Sequence, residues 1–136
     1  MAFIEWNSTL SVDVNQFDEQ HKKLISLINE LLSAMSKGEG ARMINEVLKG
    51  LIEYTITHFS AEEEAMKKYQ YPGLGLHHIE HKNLTTKVIE LQNKLDKGEA
   101  VLSMEVFQFL KDWLVNHIMK TDKSYGVFFK SKGIVV

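Results

Sequence analysis

Five of the six histidines in this 136-residue chain fall where a helical apolar stripe would place a leucine or an isoleucine. His21 precedes Leu24, Ile25 and Ile28 by three, four and seven residues, and so shares their face. His58 follows Leu51 by seven residues, and Glu62 follows His58 by four. His77 and His81 extend the series Leu84, Val88, Leu91 and Leu95 backwards. His117 follows Leu110, Trp113 and Leu114 by seven, four and three. Residues four apart differ by about 40° around a helix and about 6 Å along it, so His58/Glu62 and His77/His81 can each reach one centre. A lone histidine on an apolar face is more often a hydrogen-bonded core residue than a ligand. Five converging ones with a carboxylate are another matter, because each unsatisfied buried polar group costs roughly 2–7 kcal/mol. A bound metal removes that cost by taking neutral imidazole nitrogen and anionic oxygen directly.

The donor set limits the metal chemistry. The chain has no cysteine, which excludes disulfides, thiolate catalysis and thiolate-held zinc or iron–sulfur clusters. Six or seven inward ligands are too many for one tetrahedral zinc and suit a pair of six-coordinate ions. The repeated Glu-x-x-His of ferritin-like di-iron bundles is missing, and the histidine-rich set suits a redox-active centre poor in negative charge. A competing local pattern exists, since His77, Glu80 and His81 spell the H-x-x-E-H of a zinc peptidase. That reading needs a further ligand and a substrate groove, and it leaves His21, His58 and Glu62 without a purpose. Glu80 follows no stripe and reads as a solvated carboxylate near a helix N-terminus, and His78 reads as exposed. Asp122 lies five residues after His117, about 140° round an ideal helix. On spacing alone it is a solvated carboxylate unless the helix frays, loosens or ends near Lys120–Thr121. Asp112, on the face of Gln108 and Lys111, is solvated too, as are most of Glu63 and Glu64 and the pairs Lys22/Lys23 and Lys67/Lys68.

These ligands need helices to hold them. A single proline and sustained helical periodicity predict an all-α chain. The helices are expected at about 17–37, 41–68, 76–97 and 103–120, with Gly38 as a C-terminal cap and Ser103 as an N-cap. The YPGLG stretch at 71–75 should break the chain between the second and third. Short loops, each carrying Lys-Gly-Glu (37–39 and 97–99), favour antiparallel neighbours and hence an up-down four-helix bundle, a single domain over 1–136. Residues 1–16 read as a non-helical arm, with Trp6, Leu10, Val12 and Val14 covering one end of the bundle. Residues 126–136 read as a second non-helical arm, a short C-terminal tail.

Composition narrows the class further. Apolar residues make up 44% and charged residues 25%, values of an ordinary globular protein. A net charge of −2 favours neither nucleic acid nor an anionic membrane as partner. No apolar run approaches the roughly 20 residues needed to cross a bilayer, and MAFIEWNS lacks the form of a signal peptide, so a cytoplasmic location is expected.

The segments DEQH (18–21), HFSAEEE (58–64), YP (71–72), His77-x3-His81 and WLVNHIMKTD (113–122) resemble the hemerythrin family, in its single-domain bacterial form, over nearly the whole chain. The resemblance implies two iron ions with an oxo or hydroxo bridge. His77, His81 and His117 would hold one iron, His21 and His58 the other, and Glu62 and Asp122 would bridge both. Of about twelve positions on two six-coordinate ions, this leaves one open, on the iron with two histidines. The implied function is reversible O2 binding there, end-on as a hydroperoxide, for carriage, storage or delivery. A di-iron redox enzyme, or an O2 or NO sensor using the same open site, is the alternative. Other small diatomic molecules and anions are further implied ligands. An apolar pocket must withhold water and protons. Leu114, Phe59, Ile25 and Ile118 are its candidate lining, with plain core packing an equal or better reading for Ile25 and Ile118 and the better one for Trp113.

Overall fold

The computed structural model describes residues 4–38, 41–98 and 104–136. The apolar stripes read from the sequence fold as an antiparallel four-helix bundle, α1 (Asn15–Ser36), α2 (Ala41–Lys68), α3 (Leu74–Asp96) and a fourth column that begins with α4 (Met104–Asn116). No strand occurs among the described residues. The stripe residues Leu24, Ile28, Leu31, Leu48, Ile52, Leu84, Val88, Phe107, Leu110 and Leu114 are buried and form one core along the bundle axis. Gly38 and Gly98 follow α1 and α3 at φ 68° and 73°, a left-handed conformation that glycine adopts without strain. Ser103, Glu39, Glu99 and the side chain of Val106 lie outside the described residues.

The break between α2 and α3 falls where expected but is shorter at its far end, since α3 begins at Leu74. Helix α2 ends with Gln70 in the left-handed region (φ 56°) and Tyr71 N donating to Met66 O at 2.8 Å, a Schellman-type closure made without glycine. Residues 69–73 stand outside helix, and Gly75 lies in the first turn of α3. First-turn amides have no intrahelical partner in any case, so glycine is tolerated there.

The larger correction concerns the C-terminal segment. The fourth column does not stop near residue 120. It passes through a π-helical turn, His117–Asp122, and continues as α5 (Lys123–Ser131), leaving only 132–136 outside helix. Tyr125 and Phe129, four apart, are buried on the inner face of α5, which is why 126–131 is helical and not part of a non-helical arm. Sequence periodicity missed this because the π turn shifts the phase of everything after it.

The N-terminal arm covers one bundle end, as expected, with Leu10, Val12 and Val14 buried. It contains a 3-10 turn, Ser8–Leu10. Asp18 on α1 ties it down by accepting from Ser11 Oγ (2.6 Å) and Val12 N (2.8 Å). Asn29 pins its start by exchanging two hydrogen bonds with the Ile4 backbone. No described helix is long and apolar enough to cross a membrane.

Candidate metal centre

All four helical columns send histidines to one layer of the bundle. His21 comes from α1, His58 and Glu62 from α2, His77 and His81 from α3, and His117 and Asp122 from the π turn; none is more than 3% exposed. Asp122 is the member that an ideal α-helix would turn away. In a π turn the hydrogen bond runs from i to i+5, so residue i+5 sits one turn above residue i. The loosening therefore stacks Asp122 over His117, with Asp122 Oδ1 3.0 Å from His117 Nε2.

The seven residues sort into two groups sharing both carboxylates. Ligand-type atoms of Glu62, His77, His81, His117 and Asp122 lie within 4.8 Å of one another, and so do those of His21, His58, Glu62 and Asp122. Asp122 turns Oδ1 to His77 Nε2 (2.8 Å) and Oδ2 to His21 Nε2 (3.0 Å), so its two oxygens face different groups. Glu62 Oε1 stands 3.2 Å from His58 Nε2 and 3.5 Å from His81 Nε2, while Oε2 lies 3.3 Å from His21 Nε2.

These contacts are close without being a satisfied hydrogen-bond network. Asp122 Oδ1 and Oδ2, Glu62 Oε1 and His77 Nε2 are buried with no aligned partner. His81 Nε2 and His117 Nε2 face each other at 2.9 Å. Where both imidazoles are protonated on Nδ1, that is two lone pairs opposed. Unpartnered buried polar atoms are rare in folded proteins, and atoms aimed at a shared point between them are what cations require. The chemistry of the donors fits an iron pair, since imidazole and carboxylate suit iron and no thiolate is present.

Electrostatics agree. Burial disfavours a charged His81 and, with His117 and His77 beside it, lowers its pKa to about 4, keeping it a neutral donor. Burial also opposes charge on His21, but Asp122 and Glu62 outweigh it and raise its pKa to about 9. Burial and the charge of Asp122 push Glu62 upward, yet His58 and His21 prevail and hold it at about 2. Asp122, although buried, is held well below the usual carboxylate range by His117, His21 and His77. Two carboxylates this close both stay ionised only with positive charge between them.

Around the layer stand residues that periodicity did not single out. Gln20 Oε1 meets His58 Nδ1, and Glu63 bridges His78 Nδ1 with one oxygen and His81 Nδ1 with the other, the latter at 3.2 Å. Glu80 lies 3.6 Å from His117 Nδ1 and accepts from Thr121 Oγ1 at 3.2 Å. Glu63 and Glu80 are thus not merely solvated. Each sits about 100° from the nearest inward position on its own helix and reaches a histidine of the neighbouring column, a relation that one-helix periodicity does not reveal. Tyr125 donates to Glu62 Oε2 from α5. His78 is exposed, and Asp112 is exposed and bonded to Gln108, as expected.

The apolar surround is close-packed. Phe59 stacks flat on His81, with ring centroids 3.7 Å apart and planes 2° apart. Trp113 stacks on His117 at 4.5 Å. A cavity of about 30 Å³ runs between the helices one turn further along the ligand stripes, lined by Leu114, Leu84, Val88, Leu51, Thr55 and their neighbours. Of the four residues expected around a small ligand, Leu114 lines this cavity. Phe59, Ile25 and Ile118 are buried without lining it.

Comparison with known proteins gives a consistent picture. The family model for the hemerythrin HHE cation binding domain matches residues 12–127. The chain is 36% identical to bacteriohemerythrin of Methylococcus capsulatus, over 93% of its own length and 96% of that protein's. It is 33% identical to a hemerythrin-like protein of Naegleria gruberi, over 88% of each chain. A crystal structure of wild-type hemerythrin superposes with a TM-score of 0.88 at 35% identity, covering 93% of this chain and 97% of that one.

Proposed function

This chain belongs to the hemerythrin family, and from that premise we propose that it binds O2 reversibly at a di-iron centre. His77, His81 and His117 would hold one iron and His21 and His58 the other, with Glu62 and Asp122 shared between them. The observation that carries the reading is the unequal division of histidines between two groups that share both carboxylates. With protein donors of this number, the ion held by two histidines is the one left a position for a small molecule.

When bound, the iron pair supplies the two electrons that O2 takes up and gives back. The chain's own work is to hold, to shield and to keep protons in place. The shared carboxylates would hold both ions: Asp122 turns one oxygen to each group of imidazoles, and Glu62 reaches His58 and His81 with Oε1 and His21 with Oε2. Tyr125 keeps its proton, because burial and the nearby carboxylates raise its pKa well above the ordinary value, and so remains a donor to Glu62 Oε2. Phe59, Trp113, Leu114 and Ile118 surround the layer with apolar surface and keep bulk water from it, which is what reversibility demands.

The test begins with purified protein. It should contain two irons per chain and, once reduced without oxygen, show a visible charge-transfer band that appears with O2 and disappears when O2 is removed. One zinc per chain and no spectral response would sink the reading. Steady O2 consumption with a reductant would favour a redox enzyme on the same site. His58→Ala should lose iron from the two-histidine position while the other is retained; unchanged iron content and O2 binding would overturn the ligand assignment.

A further inference from the structure

The remote nitrogens of the site histidines have unequal partners. His81 Nδ1 is hydrogen-bonded to the Glu63 carboxylate at 3.2 Å, and His117 Nδ1 lies 3.6 Å from the Glu80 carboxylate, an ion-pair distance without a hydrogen bond, while His77 Nδ1 has no partner. All three belong to the three-histidine group. In the two-histidine group, His58 Nδ1 faces the neutral amide oxygen of Gln20, and His21 Nδ1 has no partner. Glu63 is not a loose surface acid, for its second oxygen is held by His78 and its side chain is only 23% exposed. Glu80 is 44% exposed and is anchored by one hydrogen bond from Thr121 Oγ1.

An acceptor at Nδ1 fixes the imidazole tautomer, placing the proton on Nδ1 and the lone pair on Nε2. Both carboxylate and amide oxygens can do that, so geometry is served on both sides. Charge is what differs. A carboxylate behind an imidazole raises its basicity and lends negative charge to whatever the other nitrogen binds.

We propose that Glu63 and Glu80 are positioning residues for the three-histidine ion: Glu63 holds His81 with Nε2 turned inward, Glu80 sets its charge close behind His117, and these two charges, absent beside His58, make that ion the more stable of the two in its ferric state. The proposal rests on the di-iron reading above. It assigns the two ions different jobs before any ligand arrives. One is biased toward giving up its electron, and the other, backed by neutral groups, remains the stronger Lewis acid.

The test uses the full-length iron-loaded protein with Glu63→Gln, Glu80→Gln and Gln20→Glu. The two Glu→Gln changes keep an acceptor oxygen and remove only charge. Iron per chain is measured first, then a redox titration in which Mössbauer spectra resolve the two ions. Each Glu→Gln variant should move the three-histidine ion roughly tenfold toward the ferrous form, about 59 mV upward for a one-electron couple. The other ion should stay within about twofold of its original balance. Gln20→Glu should move the two-histidine ion in the opposite direction, and it decides the matter if a Glu→Gln variant fails to fold. Variants that bind two irons with unshifted potentials would overturn the proposal, as would iron loss with the remaining potentials unmoved. Failure of the unmodified protein to bind an iron pair would instead overturn the di-iron reading itself.

Discussion

Tyr125 shows how much one hydrogen bond can matter in a buried layer. Its hydroxyl donates to Glu62 Oε2, and its ring packs edge-on to Phe17 at 5.4 Å. Tyr125→Phe would keep the packing and remove the donor, leaving that oxygen with His21 as its remaining neighbour. Bonds to ionised groups contribute about 1.5–3 kcal/mol, so stability should fall by about that amount. Denaturant melts of the variant and parent would measure it, and equal midpoints would show the bond to be idle. Gln20 is a quieter case. Beside His21 in sequence, it serves His58 on another helix. A reader of the sequence sees the ligand and passes over its neighbour, because adjacent helical positions point about 100° apart.

Among the elements, the π turn and the arm decide the architecture of the site. The turn His117–Asp122 brings both of its terminal residues to one face, and it sets the phase that carries Tyr125 inward three residues later. The arm closes the layer from outside, and its backbone lies directly against Gly126. A Cβ at that position would stand 2.0 Å from the Val12 carbonyl oxygen. Gly126→Ala should therefore push arm and helix apart and destabilise the protein by about 3 kcal/mol, the upper end of overpacking costs. Thermal unfolding and iron retention would both report it. A variant as stable as the parent would mean that the arm is free to move away from α5.

For the whole molecule, the buried charges predict a pH optimum for the metal-stripped protein. His21 is raised to about 9 when folded, so its contribution is complete below its ordinary value near 6.5 and is lost as pH climbs toward 9. His81 is lowered to about 4, so its contribution is complete above 6.5 and is lost as pH falls toward 4. Glu62, held at about 2, adds a further loss as pH falls below the ordinary carboxylate range. Stability should peak near pH 6.5 and decline on both sides. With metal bound, His21 must present a lone pair, so the alkaline decline should vanish while the acid decline remains, because protons compete for the ligands. Melting temperatures at pH 5, 6.5 and 8.5, with and without metal, distinguish these cases. A flat profile for the stripped protein would contradict the electrostatics of the layer.

The sequence by itself determined the all-α class and the inward direction of His21, His58, Glu62, His77, His81 and His117. Each follows from local periodicity, since a side chain's face is set by its neighbours three, four and seven residues away. The family resemblance pointed to Asp122 against its spacing, and only the tertiary structure decided how Asp122 reaches the layer, the helical character of 126–131 and the contacts of Gln20, Glu63 and Glu80. The first two depend on a π turn, an irregularity that a fixed period of 3.6 residues does not contain. The contacts depend on which helices stand side by side, since each of these residues turns away from its own stripe and meets a histidine of the next column.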